Sequence, residues 1–209
     1  MASVQASPGF DSSSRSFGEL VKSQSFRLGD GGRVEIDLED ADVVLETISG
    51  PTLELRVYVD ASDEDRANSL FDDMEFRAVQ TGTTVSIVAR EPRFDRSEWR
   101  RRSYFSVTAV VGVPRGVEID AQTGDGDIRI NLLASSEVSV STGDGDITVT
   151  APADLAADVY LEGEDLSVAE GLELLGRIRS HSVQGTLNGG GPNLELRTGD
   201  GAITLRQGN

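Results

Sequence analysis

The chain of 209 residues contains no cysteine, one tryptophan and one histidine. Without cysteine there can be no disulfide framework, thiolate metal site or cysteine nucleophile. The histidine, His181, lies in a polar, strand-like stretch between two serines, a setting typical of a surface residue rather than a catalytic base. Aromatic residues are also scarce, at 5%, while glycine is abundant, at 23 residues. This composition indicates thin β layers filled by aliphatic side chains.

Positive charge and long apolar runs are scarce as well. Lysine and arginine total 19 against 36 acidic residues, which gives a net charge of -17. A charge of this sign argues against nucleic acid and anionic membrane as partners. No segment approaches the roughly 20 apolar residues of a membrane span, so no membrane insertion is expected. The first 20 residues have no apolar core of a signal peptide, and residues 1–24 are predicted to be a disordered leader.

Residues 25–116 are predicted to form a strand-rich segment with one short helix. RVEIDL, ADVVLETI and TLELRVYV each place every second residue on an apolar face, as half-buried strands do. The helix is predicted near residues 63–71, with Ser62 as its N-cap and apolar residues at helical spacing. MEFRAVQ and TTVSIVA, joined by a short TG turn, are predicted to form a hairpin.

The segment at residues 90–102, REPRFDRSEWRRR, is a basic island on an acidic chain. It could be a solvated loop that faces acidic parts of the same molecule. It could also contact an anionic partner, with the tryptophan as an anchor. The candidate contact residues are Arg93, Arg96, Trp99, Arg100, Arg101 and Arg102.

From Val117 the sequence repeats with a period of about 19 residues. One apolar set comprises Ile119, Val138, Ala157, Gly176 and Leu194, at spacings of 19, 19, 19 and 18. A second comprises Ile128, Ile147, Leu166, Val183 and Ile203, and a third comprises Ile130, Val149, Val168 and Leu205. Polar residues alternate with these sets, so each repeat is predicted to hold two short strands separated by turns.

Repeats of this kind predict a β-solenoid over residues 117–207. Successive coils of about 19 residues would stack in parallel about 4.8 Å apart, each strand pairing with its equivalent in the next coil. No coil could bury its apolar face alone, so the stack would share one core. The sequence therefore predicts an all-β fold in which residues 25–207 could form one continuous domain. An open solenoid edge could also support oligomerisation.

The run VPRGVEIDAQTGDGDIRI, at residues 113–130, resembles a recurrent segment of the bacterial putative-adhesin family, a strand-repeat family of unknown function. STGDGDITVT and RTGDGAITLR match it again, and the resemblance covers about residues 25–207. It implies a β-solenoid-like fold and a place in the cell envelope or outside the cytoplasm, and it carries over no catalytic residue. The sequence departs from the pattern at Leu161–Val168, where Gly-x-Gly is lost, and at Ala202, where an aspartate is lost.

The TGDGD turns raise the question of a metal site. Stacked coils would place Asp127, Asp146 and Asp165 in one column, where charges about 4.8 Å apart repel by about 0.9 kcal/mol even in water. Turn chemistry could relieve this if each carboxylate accepts nearby backbone N–H groups, and so could a bound calcium-type cation. The candidate ligands are Asp125, Asp127, Asp144, Asp146 and Asp165. The spacing matches neither the nonapeptide calcium roll nor the EF-hand, and no other cofactor is expected.

The residues suggest no convincing active site. A carbohydrate-processing enzyme on a β-helix would need two carboxyls at a defined separation, one with a raised pKa, and exposed turn acids do not meet that need. We therefore expect a non-enzymatic structural or adhesin-like binding module of the cell envelope. Its partner would be an unknown protein or a surface polysaccharide. A cation-dependent module and a carbohydrate-processing enzyme remain the alternatives.

Overall fold

The computed structural model describes residues 17–29, 31–90 and 106–208. In chain order the elements are β1 (Glu19–Arg27), β2 (Arg33–Leu38), β3 (Asp42–Ile48), β4 (Thr52–Val59), α1 (Glu64–Asp72), β5 (Glu75–Thr81), β6 (Thr84–Arg90), β7 (Val107–Pro114), β8 (Glu118–Thr123) and β9 (Ile128–Asn131). They continue as β10 (Val138–Thr142), β11 (Ile147–Ala151), β12 (Ala157–Glu162), β13 (Asp165–Val168), β14 (Leu174–Arg179), β15 (Ser182–Leu187), β16 (Asn193–Thr198) and β17 (Ala202–Gln207). The all-β prediction is confirmed.

The strands form two mixed sheets. The eight-stranded sheet has the order β1-β4-β7-β3-β9-β11-β17-β13, and the nine-stranded sheet has the order β14-β15-β12-β16-β10-β8-β2-β6-β5. The strands in the middle of each sheet run parallel. Antiparallel strands lie at both ends of the nine-stranded sheet and at the β1 end of the eight-stranded sheet, whose other end is the parallel strand β13. Alternate side chains point inward from both sheets, and they form one hydrophobic cluster of Val, Ile, Leu and Ala with a single phenylalanine, Phe26.

Parallel stacking of strand pairs is present, and much of the predicted register is correct. Ile119 lies opposite Val138, and Val138 lies opposite Leu194. In the other sheet Ile147 lies between Ile128 and Ile203. These contacts join equivalent positions of different repeats, as a stack with a shared apolar core requires.

The prediction that consecutive repeats stack in sequence order is wrong for the last repeats. The pair β16–β17 inserts between β10–β11 and β12–β13, so that the last strands of the chain lie inside both sheets. Val159, rather than Ala157, consequently lies opposite Leu194. The predicted fourth coil does not form either, because β14 and β15 pair as an antiparallel hairpin that lies beyond β12. The structure is therefore one of mixed sheets and not a regular succession of coils.

The two halves of the chain share both sheets. The strand β2 lies between β8 and β6, and β3 lies between β9 and β7, so N-terminal strands extend the C-terminal stack. The predicted hairpin of β5 and β6 is present. The first described strand begins at Glu19, so residues 19–24, predicted to belong to a disordered leader, lie in β1.

The helix α1 is present at the expected place, but its N-cap is Asp63 rather than Ser62. The Asp63 carboxylate accepts a hydrogen bond from the Arg66 N–H at 2.8 Å, which satisfies one of the free amides of the first turn. The Ser62 hydroxyl donates to the same carboxylate at 2.9 Å, so Ser62 supports the cap. Among the residues described, no helix is long and apolar enough to cross a membrane.

We call the turns that join β2 to β3, β8 to β9, β10 to β11 and β16 to β17 corners. Close stacking of these corners explains the Gly-x-Gly motif. At Gly124, Gly126, Gly143, Gly145, Gly199 and Gly201, an added Cβ would lie less than 3.0 Å from a carbonyl oxygen of the neighbouring corner. None of the six has a positive φ. Glycine is therefore required here by the approach of one backbone to the next, and not by an unusual bend.

We predict that Gly145→Ala destabilises the protein by about 1–3 kcal/mol, because the new methyl group would overlap the Gly126 carbonyl. Gly29→Ala is the matched control, since a Cβ at Gly29 meets no atom within 4 Å. Urea unfolding followed by circular dichroism measures both changes. Equal effects of the two substitutions would contradict the role of close stacking.

Candidate binding face

The threonine of each TGDG motif is buried and fastens one corner to the next. Thr142 donates its hydroxyl to the Gly126 carbonyl at 2.9 Å, and Thr198 donates to the Gly145 carbonyl at 2.8 Å. Thr123 makes the equivalent bond to the Ala41 carbonyl at 2.9 Å. The motif is thus a structural unit that repeats from corner to corner.

A hydrogen-bonded column is formed by Asp42, Asp127 and Asp146, which lie at or just before the start of β3, β9 and β11. The Asp127 N–H donates to Asp42 Oδ1 at 3.0 Å, the Asp146 N–H donates to Asp127 Oδ1 at 3.0 Å, and the Ala202 N–H donates to Asp146 Oδ1 at 2.8 Å. Each carboxylate accepts from the neighbouring corner rather than from its own turn. Arg129 adds a bond of 2.7 Å to Asp127 Oδ2, which offsets part of the negative charge.

The structure separates the five candidate metal ligands. Asp127 and Asp146 lie in this column, and Asp165 is removed from it because Ala202 lies opposite Asp165. The exposed Asp125 and Asp144 occupy the middle position of their corners, as Asp40 and Asp200 do in theirs. Burial and the nearby charge of Asp125 raise the pKa of Asp40. Within the described residues, no group of three or more His, Asp or Glu side chains is arranged to hold a metal ion.

The other sequence-predicted residues contribute less to a site. Arg93, Arg96, Trp99, Arg100, Arg101 and Arg102 lie outside the described residues. His181 is exposed in the turn between β14 and β15, where its carbonyl accepts the Gly163 N–H at 3.2 Å.

A shallow groove on the outer face of the nine-stranded sheet brings polar side chains and one aromatic ring together. It has a volume of about 430 Å³ and lies over β12, β15 and β16. Its lining includes the side chains of Asp158, Tyr160, Gln184, Asn193 and Glu195. An aromatic surface beside converging polar groups is one feature that ligand sites share.

The Tyr160 ring is held from two sides. Its hydroxyl donates to Glu162 Oε2 at 3.0 Å, and this hydrogen bond raises the pKa of Tyr160. The Arg197 guanidinium lies 4.8 Å from the ring centroid, a cation–π geometry. Arg197 also bonds Glu162 at 2.9 Å and Glu195 at 2.6 Å, and the bond to Glu195 raises the pKa of Arg197. The hydrogen bond and the cation–π contact therefore restrict the orientation of the ring.

A polar row crosses the strands from this groove towards the middle of the sheet. Tyr160 lies opposite both Gln184 and Glu195, Glu195 lies opposite Ser139, and Ser139 lies opposite Asp120. Beside the row, Arg33 forms ion pairs with the carboxylates of Asp120, Glu118 and Glu35, with N–O distances of 2.7, 2.9 and 3.0 Å. We call the outward surface of β8, β10, β12, β15 and β16 the polar face.

Sequence reasoning missed the polar face and the full Asp column. Alternation around Val159 and Leu161 places Tyr160 outward, but it does not show that Glu195 and Arg197 lie beside it, because that contact depends on the insertion of β16. Asp42 had a signal in the sequence: ADVV at residues 41–44 matches GDIR at residues 126–129, with alanine in place of glycine.

Comparisons with known proteins agree with this architecture. Residues 32–209 match the Toastrack DUF4097 family, and the chain belongs to that family. The resemblance seen in the sequence is thereby confirmed. No curated protein matches the chain.

Several solved structures are similar to the chain. The crystal structure of a putative cell adhesion protein from Clostridium sporogenes aligns over 91% of this chain and 100% of its own, with 12% identity and a TM-score of 0.52. A putative adhesin from Parabacteroides distasonis aligns over 72% of this chain and 61% of its own, with 12% identity and a TM-score of 0.28. A putative lipid binding protein from the same organism aligns over 71% and 63%, with 14% identity and a TM-score of 0.27. At such identity the first likeness shows a shared fold alone.

We predict that Asp146→Ala lowers the free energy of unfolding by about 0.5–1.5 kcal/mol, because the Ala202 N–H loses its acceptor. Asp146→Asn should stay close to the parent, since the amide oxygen can still accept that N–H. Urea unfolding at neutral pH compares the two. A loss as large in Asp146→Asn as in Asp146→Ala would show that the charge, and not the hydrogen bond, matters.

The calcium site remains a prediction from the sequence, and a melting experiment tests it. Because Asp127 and Asp146 already accept backbone N–H groups, we expect millimolar calcium to change the Tm little beyond sodium chloride of equal ionic strength. A specific rise in Tm that is lost in Asp144→Asn would instead establish a bound cation through linkage.

Proposed function

We propose that this chain is a non-enzymatic, adhesin-like binding module of the bacterial cell envelope, built on a β-solenoid-like stack. We further propose that the polar face binds a surface polysaccharide. The observation that carries the proposal is the oriented Tyr160 ring at the edge of a polar groove that continues as a row across the strands. The membership in the Toastrack DUF4097 family and the shared fold with a putative cell adhesion protein from Clostridium sporogenes support the class of function.

The geometry of the polar face suits an extended sugar chain. Neighbouring strands are about 4.8 Å apart, a step comparable to one sugar ring along a polymer. A ring such as Tyr160 offers an apolar surface to the C–H side of a sugar, while carboxylates and amides bond its hydroxyl groups. The groove is shallow and open along the row, so a long ligand could pass across several strands.

Charge narrows the class of polysaccharide. Asp158 and Glu195 line the groove, Asp120 lies further along the row, and the whole chain carries a net charge of -17. Arg197 and Arg33 offset the charges of Glu195 and Asp120, so the net charge of the whole chain is what repels an acidic polymer. The proposed ligand is therefore a neutral polysaccharide or one with cationic amino sugars.

The test is binding to a panel of three polymers: a neutral glucan, chitosan and alginate. We expect the glucan or chitosan to bind and alginate not to bind, as measured by isothermal titration calorimetry. Tyr160→Ala should weaken the binding by about 3–10-fold, the usual value of one aromatic contact. Tyr160→Phe, which keeps the ring and loses the hydroxyl, should weaken it less.

Tyr58→Ala is the matched control, because Tyr58 lies in β4 of the other sheet and packs on Phe17 with a centroid distance of 5.6 Å. It should leave polymer binding unchanged. Binding that survives Tyr160→Ala would place the ligand elsewhere. If none of the polymers binds, and a protein partner is instead captured through the polar face, the polysaccharide proposal is wrong.

A further inference from the structure

The edge strand β14 is the most exposed apolar surface among the described residues. Leu175 is 73% exposed and Ile178 is 74% exposed, whereas the other exposed large apolar side chains range from 47% to 55%. In the described part of the chain β14 is the last strand of its sheet and pairs only with β15. An open edge with exposed aliphatic residues favours pairing with a further strand.

Hydrogen bonding within the hairpin identifies the backbone groups that face this open edge. The Glu173 carbonyl accepts the Asn188 N–H at 3.4 Å, across the hairpin from the start of β14. Because antiparallel strands alternate the direction of their N–H and C=O groups, those of Leu174, Gly176 and Ile178 point away from β15. The Leu174 N–H already donates to the Leu172 carbonyl at 2.8 Å, so a partner strand would bond the Leu174 carbonyl and the N–H and C=O groups of Gly176 and Ile178.

The sequence of the edge, ELLGRIR at residues 173–179, is complementary to itself in one antiparallel register. With Gly176 opposite Gly176 of a second copy, Glu173 lies opposite Arg179 and Leu174 lies opposite Ile178. Leu175 then lies opposite Arg177. Each of these contacts occurs twice around a two-fold axis, because such an interface uses the same residues of both copies.

The neighbouring registers are less favourable. Residues that lie directly opposite must point to the same face, so the axis must pass through a residue and cannot fall between two. An axis at Arg177 would place the two Arg177 side chains opposite each other. An axis at Ile178 would place Arg177 opposite Arg179 twice. Like charges directly opposite destabilise a strand pair, which disfavours both of these axes. An axis at Leu175 would pair Glu173 with Arg177, but it would place Ile178 opposite Leu172, before the start of the partner's β14. Coverage of the exposed Ile178 therefore selects Gly176.

We propose that this protein forms a two-fold symmetric dimer in which β14 pairs antiparallel with β14 of a second copy, centred on Gly176. About four backbone hydrogen bonds, two between the Gly176 residues and one from each Ile178 N–H to the Leu174 carbonyl of the other copy, would join the two nine-stranded sheets into one continuous sheet. The apolar pairs of Leu174 with Ile178 cover the exposed Ile178 side chains, and Glu173 pairs with Arg179 on each side. This dimer is independent of the ligand proposed for the polar face.

Sedimentation velocity of the full chain, over a range reaching about 100 µM, tests the dimer in salt of about 0.15 M to screen the repulsion between acidic protomers. We expect a concentration-dependent dimer. Ile178→Lys should abolish it, because the lysine would replace an apolar contact twice. A chain that stays monomeric throughout the range overturns the proposal.

A charge exchange tests the pairing more directly. Arg179→Glu should weaken the dimer at least tenfold, because it places Glu173 opposite a second glutamate on both sides. The double variant Glu173→Arg with Arg179→Glu restores opposite charges and should restore the dimer. Circular dichroism checks that each variant is folded. A dimer that persists in Arg179→Glu, or one that the double variant fails to restore, contradicts the register.

Disulfide cross-linking can determine the register, because the chain has no cysteine of its own that could form other cross-links. In the proposed dimer Leu175 and Arg177 of the two copies lie opposite with Cα atoms about 4.5 Å apart, a distance that a disulfide can span. Mixing Leu175→Cys protein with Arg177→Cys protein should give a cross-linked heterodimer on mild oxidation. Cross-linking of Arg177→Cys with itself would indicate an axis at Arg177 and overturn the proposal.

The opposite edge of the same sheet provides the control. Val79 in β5 is also an exposed apolar residue on an edge strand, at 55%. Val79→Lys should leave the dimer unchanged. If Val79→Lys dissociates the dimer as Ile178→Lys does, the two different edges pair head to tail, and the two-fold dimer is wrong.

Discussion

The approach of one corner to the next is the constraint on which the rest of the structure depends. Strands pair at a fixed spacing, so the turns that join them must stack at the same spacing without side chains in between. Gly126, Gly145 and Gly201 meet this requirement because a carbonyl oxygen of the neighbouring corner occupies the place of a Cβ. The buried hydroxyls of Thr142 and Thr198 then bond those same carbonyls. The Thr-Gly-x-Gly motif is thus required by the close stacking of neighbouring corners.

The same spacing brings acidic residues together, and the structure offsets their repulsion in two ways. In the Asp column each carboxylate accepts a backbone N–H of the next corner, so that the hydrogen bond makes the acid part of the stack. Ala202 interrupts the column, so that Asp165 and Asp146 are not neighbours. On the flat faces arginines such as Arg33 and Arg197 each bond several carboxylates.

The two proposed surfaces are related by the sheet that carries them. The row through Tyr160 and Gln184 ends at Arg177 on β14, the strand of the proposed dimer axis. Pairing of β14 with β14 of a second copy would therefore join the polar face of one copy to the polar face of the other. A polymer that spans both copies would gain affinity from two linked sites without any new contact.

Local patterns in the sequence determined the elements and most of the core. Alternation identified the strands, and the period of 19 residues identified pairs such as Ile128 with Ile147, because the side-chain period of a strand is visible in one chain.

The order of the stack was decided only by the tertiary structure. The strands β10, β12 and β16 have similar apolar faces, so periodicity alone cannot choose among their pairings. The third TGDG corner stacks on the second, where Thr198 and Gly201 repeat the contacts of the earlier corners, and the corner that lacks Gly-x-Gly is left at the end. That insertion brings Glu195 and Arg197 beside Tyr160 and leaves β14 at the edge of its sheet. Both results follow from long-range packing, which no local sequence pattern encodes.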